Sequence, residues 1–84
     1  MIRICYFARF REQLGLAQEE VPCQPGILTA EDLLAHLRAR GGVWAEALPE
    51  GDRVMTAINQ ELVRPETAIR DDDEVGIFPP VTGG

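Results

Sequence analysis

The chain has 84 residues, of which 45% are hydrophobic, and a formal net charge of −6. That length allows one domain with one modest core and leaves no room for an enclosed active site. All eight basic residues are arginine, and the acidic excess excludes nucleic acid as an expected partner and favours proteins with basic surfaces.

Residues 2–7 read as a strand, with Ile2, Ile4 and Tyr6 on one face and Arg3, Cys5 and Phe7 on the other. Residues 8–14 form a short helix stopped by Gly15. Residues 19–23 make a second strand; Pro22 places it at a sheet edge, and Pro25-Gly26 ends it. Thr29 is the N-cap of the only long helix, with Glu31 and Asp32 in its first turn, where they complement the helix dipole. Leu33, Leu34 and Leu37 give that helix an apolar stripe, Arg38 and Arg40 suit its C-terminal end, and Gly41-Gly42 terminates it. A further turn or two covers residues 43–48, with Trp44 as a packing anchor.

A third strand spans residues 52–58, and the tight turn Asn59-Gln60 leads into a hairpin partner, Glu61-Leu62-Val63, broken by Arg64-Pro65-Glu66. Asp71-Asp72-Asp73 marks another turn, residues 74–78 form the last strand, and Pro79 ends it. One helix against one mixed sheet is a two-layer α+β domain over residues 1–78, followed by an extended tail over residues 79–84. Parallel pairing of the first and last strands would hold both in the protected middle of the sheet and give the tail a rigid base.

Alternation has a further consequence. With Ile2, Ile4, Tyr6, Val63, Val75 and Ile77 turned toward the helix, Phe7, Leu62 and Phe78 fall on the opposite face, beside Arg3 and Arg64. Several apolar side chains there, near the tail and rimmed by charge, form the kind of patch that marks a protein partner.

Side-chain chemistry is sparse. Two cysteines, Cys5 and Cys23, are too few for a disulfide framework and lie outside any Cys-x-x-Cys pair. Core packing is expected for them, and a solvated helix position away from the strands for the single histidine, His36. The run Asp71 to Glu74 lacks the glycine and the ligand spacing of a calcium loop, so no metal is expected. Glu12, Glu31 and Asp32 read as helix-surface and capping residues. The start Met1-Ile2-Arg3-Ile4 runs straight into a strand, without signal-peptide order, and no apolar run reaches membrane-spanning length; the expectation is a cytoplasmic protein with reduced thiols and no membrane association.

The ending Pro79-Pro80-Val81-Thr82-Gly83-Gly84 carries the most information. Two prolines fix φ and forbid helix, giving a stiff exit. Two glycines then present a carboxylate on a stalk thin enough for a channel in which any Cβ would clash. That carboxylate is ionised and a poor electrophile until an enzyme activates it, for example as an acyl-adenylate made with ATP. Its unhindered carbonyl is then open to sulfur or to an amine, and the chain is the carried group while the enzyme lies elsewhere.

Phe78-Pro79-Pro80-Val81-Thr82-Gly83-Gly84 resembles the ending of the small subunits of molybdopterin synthase, a family of ubiquitin-like sulfur carriers. The likeness extends to Met1-Ile2-Arg3-Ile4, Phe7-Ala8, Arg11-Glu12, Ala57-Ile58-Asn59-Gln60 and Asp73-Glu74-Val75. It implies a ubiquitin-like β-grasp fold. It also implies a cycle in which an ATP-dependent enzyme adenylates Gly84, sulfur replaces AMP to leave a thiocarboxylate, and the tail enters the large synthase subunit and gives its sulfur to a pterin precursor. By that resemblance Pro79, Pro80, Val81, Thr82 and Gly83 are the inserted tail, Phe7, Arg11, Leu62 and Phe78 contact the partners, and no cofactor is bound tightly, since ATP belongs to the activating partner. The two partners would then compete for one face. Cys5 and Cys23 have no place in the pattern.

Three alternatives share parts of this reading. A sulfur carrier for thiazole or cysteine synthesis would have the same fold and tail chemistry, although Pro79-Pro80-Val81-Thr82 argues for the pterin branch. A ubiquitin-like modifier would end as an amide on a target lysine. A plain interaction module would keep its activity without Gly83-Gly84.

Overall fold

Ile2, Ile4, Tyr6, Val75 and Ile77 line one face of a mixed sheet and share a single core with Phe10 and with Leu33, Leu34 and Leu37 of the main helix. The computed structural model describes residues 1–48 and 54–80. The elements run β1 (Ile2–Tyr6), α1 (Ala8–Leu14), β2 (Gln18–Val21), α2 (Ala30–Arg38), α3 (Val43–Ala47), β3 (Met55–Ile58), β4 (Glu61–Val63) and β5 (Glu74–Phe78). Five strands are ordered β2-β1-β5-β3-β4. β1 and β5 pair in parallel, which meets the condition for a protected central pair, and every other pairing among the described residues is antiparallel. The strand that leads to the tail is therefore hydrogen-bonded along both edges. This is the two-layer α+β domain that the order of elements implies, in the β-grasp arrangement that the resemblance implies.

Strict alternation makes one sheet face apolar, and burying each such Leu or Ile contributes about 1.5–3 kcal/mol. Helix α2 starts where its sequence says it must. Thr29 Oγ1 accepts from the Asp32 N–H at 3.2 Å, and Asp32 Oδ2 accepts from the Thr29 N–H at 3.1 Å, a reciprocal capping box. Gly15 closes α1 in the left-handed region, at φ 65°.

Some boundaries differ from those read in the sequence. β1 ends at Tyr6, because Phe7 becomes the N-cap of α1, although its N–H still donates to the Ile77 carbonyl at 3.0 Å. β2 is the expected edge strand but covers Gln18–Val21, since Pro22 has no N–H to continue a ladder. α2 ends at Arg38 with Ala39 as its C-cap, and Gly41 and Gly42, at φ 75° and 56°, carry the chain onward into α3. Among the described residues β3 begins at Met55; the expected start at Asp52 lies outside them.

A polar cluster that alternation did not foretell closes the rim of the core. The Tyr6 hydroxyl and the Arg40 guanidinium both bond the Glu19 carboxylate, Arg40 also lies 4.4 Å from the Trp44 ring centre, and Trp44 meets Tyr6 edge-on at 5.6 Å. Burial works against the Glu19 charge, but the hydrogen bonds from Arg40 and Tyr6 outweigh it and hold the carboxyl below its usual range. His36 is a correction: it is half-buried on α2 and close enough to Glu19 to favour that charge, not solvated and remote from the strands. Glu19 pairs with inward-facing Ile4 and so lies on the helix side of the sheet, within reach of α2 and the segment after it. No helix among the described residues is long and apolar enough to cross a membrane.

Candidate functional site

The sheet face turned away from α2 is crossed by three rows of side chains. In the row farthest from the tail, Arg3 Nη1 lies 3.7 Å from Glu74 Oε2, and Asn59 Oδ1 accepts from the Glu74 N–H at 3.1 Å. This row borders a polar groove of about 300 Å³, lined by Met1, Arg3, Glu20, Asn59, Asp72 and Glu74. The terminal amine of Met1 is bonded to Asp71, and that hydrogen bond raises its pKa.

The middle row is small at its centre, where Cys5, Gly76 and Ala57 stand side by side. Register places Gln18, Cys5, Gly76, Ala57 and Leu62 side by side across all five strands. The row nearest the tail contains Phe7, Phe78 and Met55: Met55 pairs with Phe78, and the Phe7 and Phe78 rings stand edge-on with centroids 6.4 Å apart. The Phe7 ring also reaches back over Gly76, where an added Cβ would stand 3.2 Å from Phe7 Cε2. The face is thus graded, charged at one end and aromatic at the end from which Pro79 and Pro80 leave.

The residues named from sequence meet this geometry unevenly. Phe7 and Leu62 are 50% and 61% exposed, so two large apolar side chains do face outward. Phe78 is half-buried beside Phe7, and Pro79 and Pro80 are half-buried directly after it. Leu62 sits in the row of Gly76, two strands across from it and one row back from the aromatic pair, so it belongs to the same face but not to that pair. Arg11 is exposed on α1, one turn beyond Phe7. Arg64 follows β4 at the tail end, whereas Arg3 is at the opposite end beside Glu74, so the expected charged rim is split between two ends of the sheet. Val81, Thr82, Gly83 and Gly84 lie outside the described residues.

The expected core packing of the cysteines is overturned. Cys5 is half-buried on the outward face and Cys23 is exposed beyond the end of β2. The parity that turns Ile4 and Tyr6 inward turns Cys5 outward, and Cys23 follows the last strand residue by two positions. Burial against the sheet pushes the Cys5 thiol up, which keeps it neutral and poorly nucleophilic. Among the described residues no three His, Cys, Asp or Glu side chains gather as metal ligands.

Met55, Ala57 and Gly76 were not singled out in the sequence as members of this face. A usable signal existed for Gly76, a glycine inside an otherwise β-rich run.

The chain matches the ThiS family over residues 4–84. It belongs to the ThiS family. Over 84 residues, all of this chain and all of the other, it is 42% identical to the molybdopterin synthase sulfur carrier subunit of Escherichia coli. Among solved structures, a protein of Pyrococcus furiosus assigned as molybdopterin converting factor subunit 1 superposes with a TM-score of 0.75 at 31% identity, covering 95% of this chain and 97% of that one. SAMP1 from Haloferax volcanii superposes with a TM-score of 0.74 at 25% identity, covering 99% of this chain and 98% of that one. These likenesses agree with the ubiquitin-like β-grasp architecture described above.

Proposed function

We propose that this ThiS-family chain is a sulfur carrier for molybdopterin synthesis, the small subunit of molybdopterin synthase, with Gly84 as the residue that carries the sulfur. The observation that carries the reading is the end-to-end likeness to a molybdopterin synthase sulfur carrier subunit, which spans the tail as well as the domain. The fold supports it: the central strand β5, bonded on both edges, delivers Pro79-Pro80 beside an aromatic pair of exposed Phe7 and half-buried Phe78.

The chemistry follows from the tail. A Gly84 carboxylate oxygen attacks the α-phosphorus of ATP on an activating enzyme, and pyrophosphate leaves. A sulfur nucleophile then attacks the acyl-adenylate carbon and AMP leaves, giving a thiocarboxylate. In the large subunit the thiocarboxylate sulfur bonds to a carbon of a pterin precursor and displaces an oxygen substituent; water then attacks the Gly84 carbonyl carbon, its bond to sulfur breaks, the sulfur stays on the precursor and Gly84 returns as a carboxylate. The chain's own contribution is binding and reach. Phe7, Leu62 and Phe78, with Arg11 at the border, dock each partner in turn, and Pro79 to Gly83 span the distance to the reacting atoms. One docking face serving two partners makes their binding mutually exclusive.

Intact-mass measurement tests the proposal. Incubation with ATP, the activating enzyme and a sulfur source is expected to add about 16 Da, oxygen replaced by sulfur, at Gly84. An unchanged mass with a competent activating enzyme overturns it. Accumulation of amide adducts on target lysines in place of the thiocarboxylate would assign the chain to the modifiers instead.

A further inference from the structure

Gly76 lies where glycine is least expected. It is buried in the middle of β5, between β1 and β3, paired with Cys5 on one side and Ala57 on the other. The interior of a central strand favours β-branched and aromatic residues, and a glycine there weakens the strand. The usual backbone reason for glycine is absent, because the positive-φ glycines among the described residues are Gly15, Gly41 and Gly42. What occupies the missing side chain's space is an aromatic ring: Phe7 Cε2 would be 3.2 Å from a Cβ at Gly76, closer than van der Waals contact, while Ala57 Cβ would be 3.9 Å away. The same ring meets Phe78 edge-on at 6.4 Å.

We infer that Gly76 is a positioning residue for partner recognition: it leaves the gap into which the Phe7 ring settles, and so sets Phe7 and Phe78 as a fixed aromatic pair at the root of the tail. The local backbone supports this. Phe7 is the hinge between β1 and α1, and Ala8 after it holds a left-handed φ of 53°, which reverses the chain and leaves the ring position to be decided by what it packs on. A side chain at Gly76 would lift the ring off the sheet and away from Phe78. Strand stability is thereby exchanged for a preorganised contact surface, and ordering Phe7 before binding removes part of the entropy that docking would otherwise cost. Alanine displaces the ring by only a few tenths of an ångström; valine adds the bulk that matters.

This inference rests on the reading of Phe7 and Phe78 as a docking face, and the test separates the two. Affinities for the molybdopterin synthase large subunit are measured by titration calorimetry for the wild type, Phe7→Ala, Gly76→Val and the double variant, with Gly76→Ala as the conservative case. Phe7→Ala is expected to weaken binding roughly tenfold, as truncation of an interface aromatic does. Gly76→Val should weaken it roughly fivefold to tenfold, the worth of an aromatic pair, with melting temperature kept or raised. Gly76→Ala should lie close to wild type. In the Phe7→Ala background Gly76→Val should add nothing, because no ring remains to displace. No loss from Phe7→Ala overturns the docking face itself. Loss from Phe7→Ala without loss from Gly76→Val overturns the role of Gly76, and so does an equal loss from Gly76→Val in both backgrounds. In the free protein, the Gly76 α-proton resonances should shift upfield under the Phe7 ring and return in Phe7→Ala; resonances indifferent to Phe7 overturn the packing on which the inference stands.

Discussion

The Tyr6 hydroxyl donates to Glu19 Oε2 at 2.7 Å, tying the inward face of β1 to the edge strand β2. Arg40 donates to both oxygens of the same carboxylate at 2.9 Å, so one glutamate joins the sheet to the segment that follows α2. Tyr6→Phe is expected to cost about 1 kcal/mol, a fall of roughly 5 °C in melting temperature for a domain of this size. Differential scanning calorimetry checks it.

The same cluster makes stability depend on pH at both extremes. Glu19 is held below its usual pKa in the folded state, so its contribution is complete above the ordinary glutamate pKa of about 4.3 and is lost as pH falls through the lower folded value. Burial, with help from the Glu19 hydrogen bond, pushes the Tyr6 hydroxyl far up. Its contribution is complete below the ordinary tyrosine pKa of about 10 and is lost as pH rises toward the folded value. Urea denaturation across pH should show both slopes. Glu19→Gln should flatten the acid one, and Tyr6→Phe the alkaline one.

Carrier activity should depend on the last residue and not on the fold. Gly84→Ala, or one residue appended after Gly84, is expected to abolish sulfur loading or transfer while the circular dichroism spectrum stays native, because the core among the described residues is already built from strand and helix side chains. Intact mass after incubation with ATP, activating enzyme and a sulfur source reads the first effect. An unfolded variant would contradict the separation of tail from domain.

Both partners should feel the loss of Phe78. Its ring supports Phe7 and directly precedes Pro79, so Phe78→Ala is expected to weaken the large subunit and the activating enzyme alike, by roughly tenfold each. Titration of the variant with each partner decides this, and unchanged affinity for both would remove the shared face.

The hairpin offers a stabilising change. Asn59 and Gln60 have φ of 50° and 71°, the left-handed pair that a two-residue hairpin turn demands. Glycine adopts this region without the steric cost that glutamine meets, so Gln60→Gly should raise stability by about 1 kcal/mol. Thermal melts check the gain, and sulfur loading should not change.

Much of this molecule could be read from residue order because its rules are local. Alternation needs only the two-residue period of a strand, and it correctly turned Phe7, Leu62 and Phe78 outward. Thr29 and Asp32 cap a helix through bonds within one turn, and Pro22 marks an edge strand through its own missing N–H, although the strand read as running on to Cys23 stops before it. Pro79 ends β5 by the same kind of rule, as read. Contacts between distant segments were not legible. Glu19, Arg40 and Trp44 become one cluster with Tyr6 only after β2 and the end of α2 are packed together. Arg3 and Arg64 fall at opposite ends of the face because strand direction and register, not parity, set position along a sheet. Gly76 shows its use only when the ring of Phe7, 69 positions earlier, is seen in the space where its side chain would be. Packing brought those two residues together, and no local propensity encodes a meeting across so much chain.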